Sequence, residues 1–168
     1  PKVRHWWAGL YKEFIAELGI QGVWNDMNEP AVFEVESKTF PGDVRHDYDH
    51  HPCSHRKTHN VYGMQMARAT YEGLKKFAYP NRPFVITRSA YSDAQRYSSA
   101  WTGDNIASWE HLWLANVQCQ RMAVSGFSFI GSDIGGFIDQ PSMELYVRWV
   151  QLGIFHPFCR THSSGDHG

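Results

Sequence analysis

The chain has 168 residues, of which 42% are hydrophobic and 20% are charged, a composition typical of one globular domain rather than of a disordered segment. The formal net charge of −1 argues against a nucleic-acid partner held by phosphate neutralisation. No apolar run reaches the ~18 residues that a membrane span needs. The first residues lack the pattern of a signal peptide, and the composition leaves the compartment open.

Alternating apolar and polar segments predict alternating helices and strands in the first half of the chain. We expect a helix over residues 6–18 with an apolar face, formed by Trp7, Leu10, Tyr11, Phe14 and Leu18. A strand at 20–24 and a long polar loop at about 30–57 follow. A second helix is predicted over 59–77, with a buried stripe at Met64, Ala67, Tyr71 and Leu74.

The second half continues the alternation. Apolar runs predict strands at 84–87, 127–130 and 155–159. Ser108 and Ser142 each precede a helical pattern and are placed to cap it, while residues 101–105 lie in a loop. The repeated strand–loop–helix order predicts an α/β fold in which helices pack on a parallel sheet.

Polar residues follow each predicted strand at its carboxyl end. They are Asp26, Arg88, Ser89, Ser132, Asp133, Arg160 and His162. Strands leaving a core for a loop often end in this way, but parallel strands also bring such residues to one edge, where (β/α)8 barrels have their active sites. Only four or five strands can be counted, and a closed barrel needs about 250 residues. We therefore expect residues 1–168 to be part of a barrel, truncated at both ends and completed by the remainder of a parent chain.

Two loops combine an aromatic residue with a carboxylate. Trp24 and Asp26 lie in the first loop, and Trp101 and Asp104 lie in the second. Two carboxylates facing one cleft are what glycosidic bond cleavage requires, because one attacks or stabilises the anomeric carbon and the other protonates the leaving oxygen. Asp26 and Asp104 could instead be a helix cap and a turn residue, each a common role for aspartate. The spacing alone therefore leaves the catalytic and the structural interpretation open. The aromatic content of 15% is compatible with a sugar cleft and with an ordinary core.

Six segments, in order along the chain, resemble glycoside hydrolase family 31, the α-glucosidase family. They are WNDMNEP at 24–30, HNVYG at 59–63, RSAYSDAQR at 88–96, WTGDN at 101–105, GSDIGGF at 131–137 and PFCRTH at 157–162. The resemblance implies part of a (β/α)8 TIM barrel comprising about strands 4 to 8. The nucleophile would follow the fourth strand and the acid/base the sixth.

The resemblance also implies a role for each matching residue. Asp26 would be the nucleophile and Asp104 the general acid/base of a retaining α-glucosidase, which releases terminal α-linked glucose from oligosaccharides through a covalent glycosyl-enzyme intermediate. Two residues, Arg96 and His162, would hydrogen-bond the hydroxyls of the bound glucose. The first sugar subsite would be lined by Trp24, Met27, Trp101 and Phe137, with Asp133 orienting groups beside it. The family needs no metal or cofactor.

Other interpretations remain open at this point. Arg96 can be a structural ion-pair partner, and Trp24, Trp101 and Phe137 can be core residues. The same chemistry serves an α-transglucosylase, in which a sugar hydroxyl replaces water, or an α-glucan lyase. A non-catalytic carbohydrate-binding homologue is a different class. Ala31, where the family often has Ser, and Asp93 depart from the usual pattern, and the change at Asp93 puts linkage preference in doubt.

Three further features need an interpretation. Arg88, directly at a strand end, predicts a buried ion pair that supports the site. A group of histidines in the polar loop favours a solvated segment, with His59 packed at a helix start, over a zinc site; the group is His46, His50, His51, His55 and His59. The three cysteines give neither a disulfide framework nor a metal-binding pair.

Overall fold

A computed structural model describes residues 2–165, and the chain divides into two compact units, residues 1–98 and 99–168. Unit 1 contains the elements α1 (Lys2–Gly9), α2 (Lys12–Ala16), β1 (Gly22–Asn25), β2 (Arg45–Tyr48), β3 (His51–Ser54), α3 (His55–Phe77) and β4 (Phe84–Thr87). Unit 2 contains β5 (Ser99–Trp101), α4 (Trp109–Val124), β6 (Ile130–Gly131), β7 (Asp133–Ile134), α5 (Met143–Gly153) and β8 (Arg160–Thr161). Within the described residues, no helix is long and apolar enough to cross a membrane.

In unit 1, β1 and β4 form a parallel pair, with Asn25 opposite Thr87 at the carboxyl end. Parallel strands need a long crossover, and α3 supplies it. The core between helices and strands consists of Ile15, Ala67, Leu74, Ala78 and Val85. Helix α1 is tied to α3 by the Trp7 indole N–H, which donates to Thr70 Oγ1 at 2.9 Å. The register of β1 and β4 brings the residues that follow both strands side by side.

Unit 2 contains two further parallel pairs, β5 with β6 and β7 with β8. Its core consists of Ala115, Ile134, Leu145 and Trp149. The fully buried Trp149 donates its indole N–H to Ser132 Oγ at 2.9 Å. Both predicted helix caps are confirmed, because Ser108 Oγ accepts from the His111 N–H and Ser142 Oγ accepts from the Leu145 N–H.

The predicted single helix over 6–18 is wrong. The chain turns between α1 and α2, where the Leu10 N–H donates to Trp7 O and the Tyr11 N–H donates to Ala8 O. This turn restarts the helical rotation, so the predicted face does not continue across it. Ile15 is buried in α2, whereas Phe14 and Leu18 are exposed. The buried stripe predicted for the second helix is confirmed at Met64, Ala67 and Leu74, with Tyr71 partly buried.

The predicted polar loop at 30–57 contains an antiparallel hairpin of β2 and β3, and α3 begins at His55 rather than His59. The hairpin lacks the apolar alternation that marks a strand, and Pro52 lies inside β3. Backbone pairing with β2 and the hydrogen bond between His46 and His55 stabilise the hairpin, and neither contact leaves an apolar alternation in the sequence.

Two predicted strands lie elsewhere. The apolar run at 127–130 contributes only its last residue to β6, and the run at 155–159 precedes β8 instead of forming it. Phe155 and His156 continue the turns at the end of α5, and the Phe155 side chain is 80% exposed. The short strands β5 and β7 were not predicted, because two or three residues carry no measurable periodicity.

Candidate active site

Asp26 stands in a sharp turn directly after β1. The next residue, Met27, has a left-handed backbone with φ of +56°, which costs a residue with a side chain about 1 kcal/mol. This turn lets the Met27 N–H donate to Asp26 Oδ1 at 2.8 Å. The side chain of Asp26 is 51% exposed, so the carboxylate is fixed by local contacts and accessible to a ligand.

Arg88 follows β4 and lies beside Asp26 because β1 and β4 are in parallel register. Its Nε is 3.2 Å from Asp26 Oδ1 and 2.8 Å from Glu29 Oε1, and its Nη2 is 3.3 Å from Glu29 Oε2. Nη2 also donates to Met27 Sδ. The ion pair predicted for Arg88 is present, but it is not buried as predicted: the Arg88 side chain is 18% exposed and its partner Asp26 is 51% exposed.

Asn28 and Glu29, which sequence reasoning did not single out, complete this arrangement. Asn28 is fully buried and bonds to residues on both sides of Arg88. Its Nδ2 donates to Thr87 Oγ1 at 2.7 Å, and its Oδ1 accepts the Ser89 N–H at 3.0 Å. The signal was present in the sequence: both residues lie inside the motif that contains Asp26, directly after it.

The other two predicted site residues of unit 1 are placed as follows. Trp24 lies in β1, where it is partly buried. Arg96 ends a single turn of 3₁₀ helix (Ala94–Arg96) that starts after the left-handed Asp93, with φ of +78°. The exposed Arg96 guanidinium lies 5.8 Å from the centre of the Tyr97 ring. Its predicted role toward a sugar therefore stays a prediction.

In unit 2, Asp104 occupies the tip of a tight loop after β5. Thr102 Oγ1 donates to Asn105 Oδ1 at 2.7 Å, and the Asn105 N–H donates to Gly103 O at 3.0 Å. Gly103 has a φ of +86°, which a residue with a side chain rarely adopts. Trp101 is buried in the preceding strand. This loop exposes Asp104 on a short, internally bonded turn.

A second loop is bonded directly to the loop of Asp104. The Phe137 N–H donates to Asn105 O at 2.7 Å. The preceding Gly136 has a φ of +91°, and a Cβ there would stand 2.6 Å from the Cα of Ala107. Glycine is therefore required for this close approach. The Phe137 ring stacks on the His162 ring with centres 5.2 Å apart.

Asp133 is the most buried carboxylate at this edge of unit 2, with no exposed side-chain area. Its Oδ1 is 2.5 Å from Arg160 Nη1, and the Arg160 side chain is 16% exposed. Burial raises the pKa of Asp133, and the charges of Arg160 and His162 oppose that shift. The charge of Asp104 raises the same pKa further. Five predicted site residues of unit 2 therefore cluster at one end of its strands: Trp101, Asp104, Asp133, Phe137 and His162.

The solvated interpretation is wrong for three of the five histidines of the polar loop, whereas His50 and His51 are exposed. His46 Nε2 is 3.0 Å from His55 Nδ1, and His59 Nδ1 is 3.1 Å from His55 Nε2, so three imidazoles form a hydrogen-bonded chain. His55 is 2% exposed, and His59 lies inside α3 rather than at its start. Burial lowers the pKa of His55, and the neighbouring imidazoles lower it further. In residues 2–165, no group of three or more His, Cys, Asp or Glu side chains is arranged to hold a metal ion.

Comparison with known proteins places this site in a family. The model of the glycosyl hydrolases family 31 TIM-barrel domain matches residues 1–168. "Alpha-glucosidase 2" of Bacillus thermoamyloliquefaciens is 49% identical over 161 residues, which is 96% of this chain and 20% of that protein. "Neutral alpha-glucosidase AB" of Homo sapiens is 40% identical over 171 residues, which is 100% of this chain and 18% of that protein.

Solved structures agree with the sequence relatives. The DNJ-bound glucosidase II alpha subunit matches with a TM-score of 0.88 and 40% identity, covering 97% of this chain and 18% of that one. The family 31 α-glucosidase of Bacteroides thetaiotaomicron matches with a TM-score of 0.84 and 40% identity, covering 100% of this chain and 26% of that one. The chain thus spans about a fifth of the length of the relatives it matches, and its alternating helices and parallel strands are part of a TIM barrel.

Proposed function

Because this chain belongs to glycosyl hydrolase family 31, we propose that it carries the two catalytic carboxylates of a retaining α-glucosidase. Residues 1–168 form a partial catalytic barrel in this proposal, and further chain completes it. The observation that carries the proposal is the state of Asp26: a half-exposed carboxylate, fixed by Arg88 and by a backbone N–H in the turn after a parallel strand. Relatives named as α-glucosidases support the substrate class.

The first step forms a bond between Asp26 and the anomeric carbon of a terminal α-linked glucose. Both contacts that the structure gives the Asp26 carboxylate within the described residues fall on Oδ1, which leaves Oδ2 as the attacking oxygen. The glycosidic C–O bond breaks with its electron pair going to the leaving oxygen. Asp104 donates a proton to that oxygen, so a neutral alcohol departs.

The second step releases glucose. Asp104, now ionised, removes a proton from a water molecule, which attacks the anomeric carbon and breaks the ester to Asp26. The two inversions together retain the α configuration. A retaining mechanism of this kind requires its two carboxyl groups to be about 5–5.5 Å apart.

The predicted substrate-binding residues complete the proposal. Arg96 and His162 hydrogen-bond the hydroxyls of the bound glucose, and Asp133 orients groups at the same subsite. The apolar wall of that subsite consists of Trp24, Met27, Trp101 and Phe137. The support for His162 is its stacking on Phe137, which holds the imidazole at the edge where Asp104 and Asp133 lie. The reaction uses no metal and no cofactor.

The decisive experiment traps the covalent intermediate in the full-length protein. A 5-fluoro-α-glucosyl fluoride forms the ester quickly and releases it slowly. We expect peptide mass spectrometry to locate the label on Asp26, and the Asp26→Asn variant to take up none. Absence of label, with binding of the sugar retained, would favour the non-catalytic carbohydrate-binding homologue.

A second experiment separates the roles of the two carboxylates. We expect Asp26→Asn to lose on the order of 10⁴-fold or more in kcat on every substrate, because the nucleophile is absent. Asp104→Ala should lose similarly on maltose but far less on a dinitrophenyl α-glucoside, whose leaving group needs no proton. Azide should restore turnover of Asp104→Ala and yield an α-glucosyl azide. A disaccharide product or an unsaturated sugar from the wild type would indicate a transglucosylase or a lyase instead.

A further inference from the structure

Arg88 is the only cation that the structure brings to Asp26 within the described part of unit 1, and it is shared. The same guanidinium lies closer to Glu29 than to Asp26, at 2.8 Å compared with 3.2 Å. Glu29 is therefore a competitor for the charge that faces the proposed nucleophile. The strength of the contact with Asp26 depends on where the backbone of Arg88 stands.

Asn28 determines where that backbone stands. The Ser89 N–H can only donate, so the atom it meets at 3.0 Å must be the Asn28 carbonyl oxygen. The Asn28 amide nitrogen then donates to Thr87 Oγ1 at 2.7 Å, and the Thr87 hydroxyl donates a hydrogen bond to Ser89 O at 3.0 Å. One buried amide thus binds the residues immediately before and after Arg88.

The helix behind this amide leaves it no room to move. Asn28 Nδ2 is 3.5 Å from Gly63 O in α3. A Cβ at Gly63 would stand 2.7 Å from Ser89 O and 3.0 Å from Asn28 O. The two loops and the helix are therefore packed at backbone distance. A third link closes the set, because the Arg88 N–H donates to Asn25 O at 3.1 Å.

We propose that Asn28 is a positioning residue for the reaction: its buried side-chain amide clamps Thr87 and Ser89 and so holds Arg88 against Asp26 Oδ1. Arg88 in turn fixes the carboxylate by one oxygen and keeps the other available for attack, while Glu29 moderates the charge that Asp26 experiences. This inference rests on the proposed role of Asp26 as nucleophile. It adds that the packing of α3 behind Asn28 helps to position the reactive carboxylate.

The test compares four variants of the full-length enzyme by kcat, KM and the rate of covalent labelling. On an aryl α-glucoside, Asn28→Ala removes both arms of the clamp and Thr87→Val removes one, and we expect kcat to fall about 10- to 100-fold with KM changed less. Thr87→Ser keeps the hydroxyl and should restore most of the activity. Arg88→Gln should lose at least as much as Asn28→Ala.

The rate of labelling by the 5-fluoro-α-glucosyl fluoride distinguishes positioning from a general loss of folded protein. A displaced Asp26 carboxylate should form the ester more slowly in Asn28→Ala and in Arg88→Gln, while every folded molecule is labelled in the end. Unfolded protein would instead lower the final extent of labelling and leave its rate unchanged.

Two results would overturn the proposal. An Asn28→Ala enzyme whose labelling rate and kcat both match the wild type would show that the clamp does not act on Asp26. An Arg88→Gln enzyme that keeps the wild-type labelling rate would show that Arg88 does not position the carboxylate. The glycosyl-fluoride label separates this failure from a failure of the proposed function. Label on Asp26 together with an unchanged Asn28→Ala enzyme would refute only the positioning role of Asn28. Label on another residue would refute both that role and the proposed role of Asp26 as nucleophile.

Discussion

Each unit of the chain places an arginine against an aspartate at the carboxyl end of a parallel strand, but the two pairs differ in burial. In unit 1 the Asp26 side chain is 51% exposed, and Arg88 is shared with Glu29. In unit 2 the Asp133 side chain has no exposed area and Arg160 is 16% exposed. An exposed carboxylate can accept a ligand and be regenerated by water. A buried pair cannot do so without first losing its partner. The difference is consistent with the reaction chemistry proposed for Asp26. It predicts that the Asp133–Arg160 pair stabilises the fold, in addition to the role proposed for Asp133 beside the sugar.

The most direct test of this difference in burial is to replace each arginine separately. Arg160→Met leaves a buried, uncompensated carboxylate, and breaking a buried ion pair typically costs about 3–5 kcal/mol. Arg88→Met leaves carboxylates that water can reach, so we expect a cost of about 1 kcal/mol or less. Native-state hydrogen exchange in the full-length protein can measure both costs, at the amides of β7 and β8 for Arg160 and of β1 and β4 for Arg88.

A matched variant controls for lost packing of the long arginine side chain. Asp133→Leu combined with Arg160→Met removes both charges together, and a hydrophobic replacement of a buried pair is often neutral or stabilising. We expect the double variant to regain much of the stability that Arg160→Met alone loses. Equal losses in the single and double variants would show that packing, not charge, makes Arg160 important.

Burial lowers the pKa of one histidine in each unit, His55 in unit 1 and His156 in unit 2. Unit 1 buries His55 in the chain of three imidazoles, and burial lowers the pKa of His55 from its ordinary value of 6.5. The uncharged Thr39, Phe40 and Tyr62 also contact this imidazole. The unfolded segment binds a proton more readily than the folded one, so the stabilising contribution is complete above pH 6.5 and is lost as pH falls from there through the folded pKa.

We therefore expect the β2–β3 hairpin to open more easily as pH falls below about 6.5. Hydrogen exchange of the hairpin amides, corrected for the intrinsic effect of pH, measures this opening. His55→Gln should abolish the excess pH dependence. His50→Asn, which changes an exposed imidazole of the same hairpin, should retain it. A slope that survives in His55→Gln would assign the titration to a different group.

The sequence predictions were accurate where many residues repeat one side-chain pattern and inaccurate where an element depends on backbone pairing or on a local turn. The long helix α3 was predicted with most of its buried positions because many residues repeat one pattern. The family motifs located Asp26, Asp104 and their neighbours as candidates. The β2–β3 hairpin was missed because backbone pairing leaves no apolar signature, and the turn after α1 was missed because apolar residues continue across it.

The role of Asn28 could not be read from the sequence for another reason. An asparagine in a polar motif has many fates, and only the packing of α3 at Gly63 buries this one. The same holds for Asp133, whose identity predicts an exposed ligand-binding carboxylate as readily as a buried ion pair. Burial and partner choice depend on contacts between distant segments, and local sequence does not contain them.

The smallest expected effect concerns the helix caps, which also differ between the units. In unit 2, Ser108 and Ser142 each accept a backbone N–H through the side-chain hydroxyl, both at 3.2 Å. In unit 1, Ser54 precedes α3 in the same extended conformation but makes no side-chain cap. Replacing a capping serine by alanine costs about 1 kcal/mol, because an N–H at the helix start loses its acceptor.

Ser108→Ala and Ser142→Ala should each lose that amount of stability, measured by hydrogen exchange in the first turns of α4 and α5. Ser54→Ala should stay within about 0.5 kcal/mol of the wild type, and an equal loss there would show that the extended backbone before the helix, rather than the hydroxyl acceptor, provides the stabilisation.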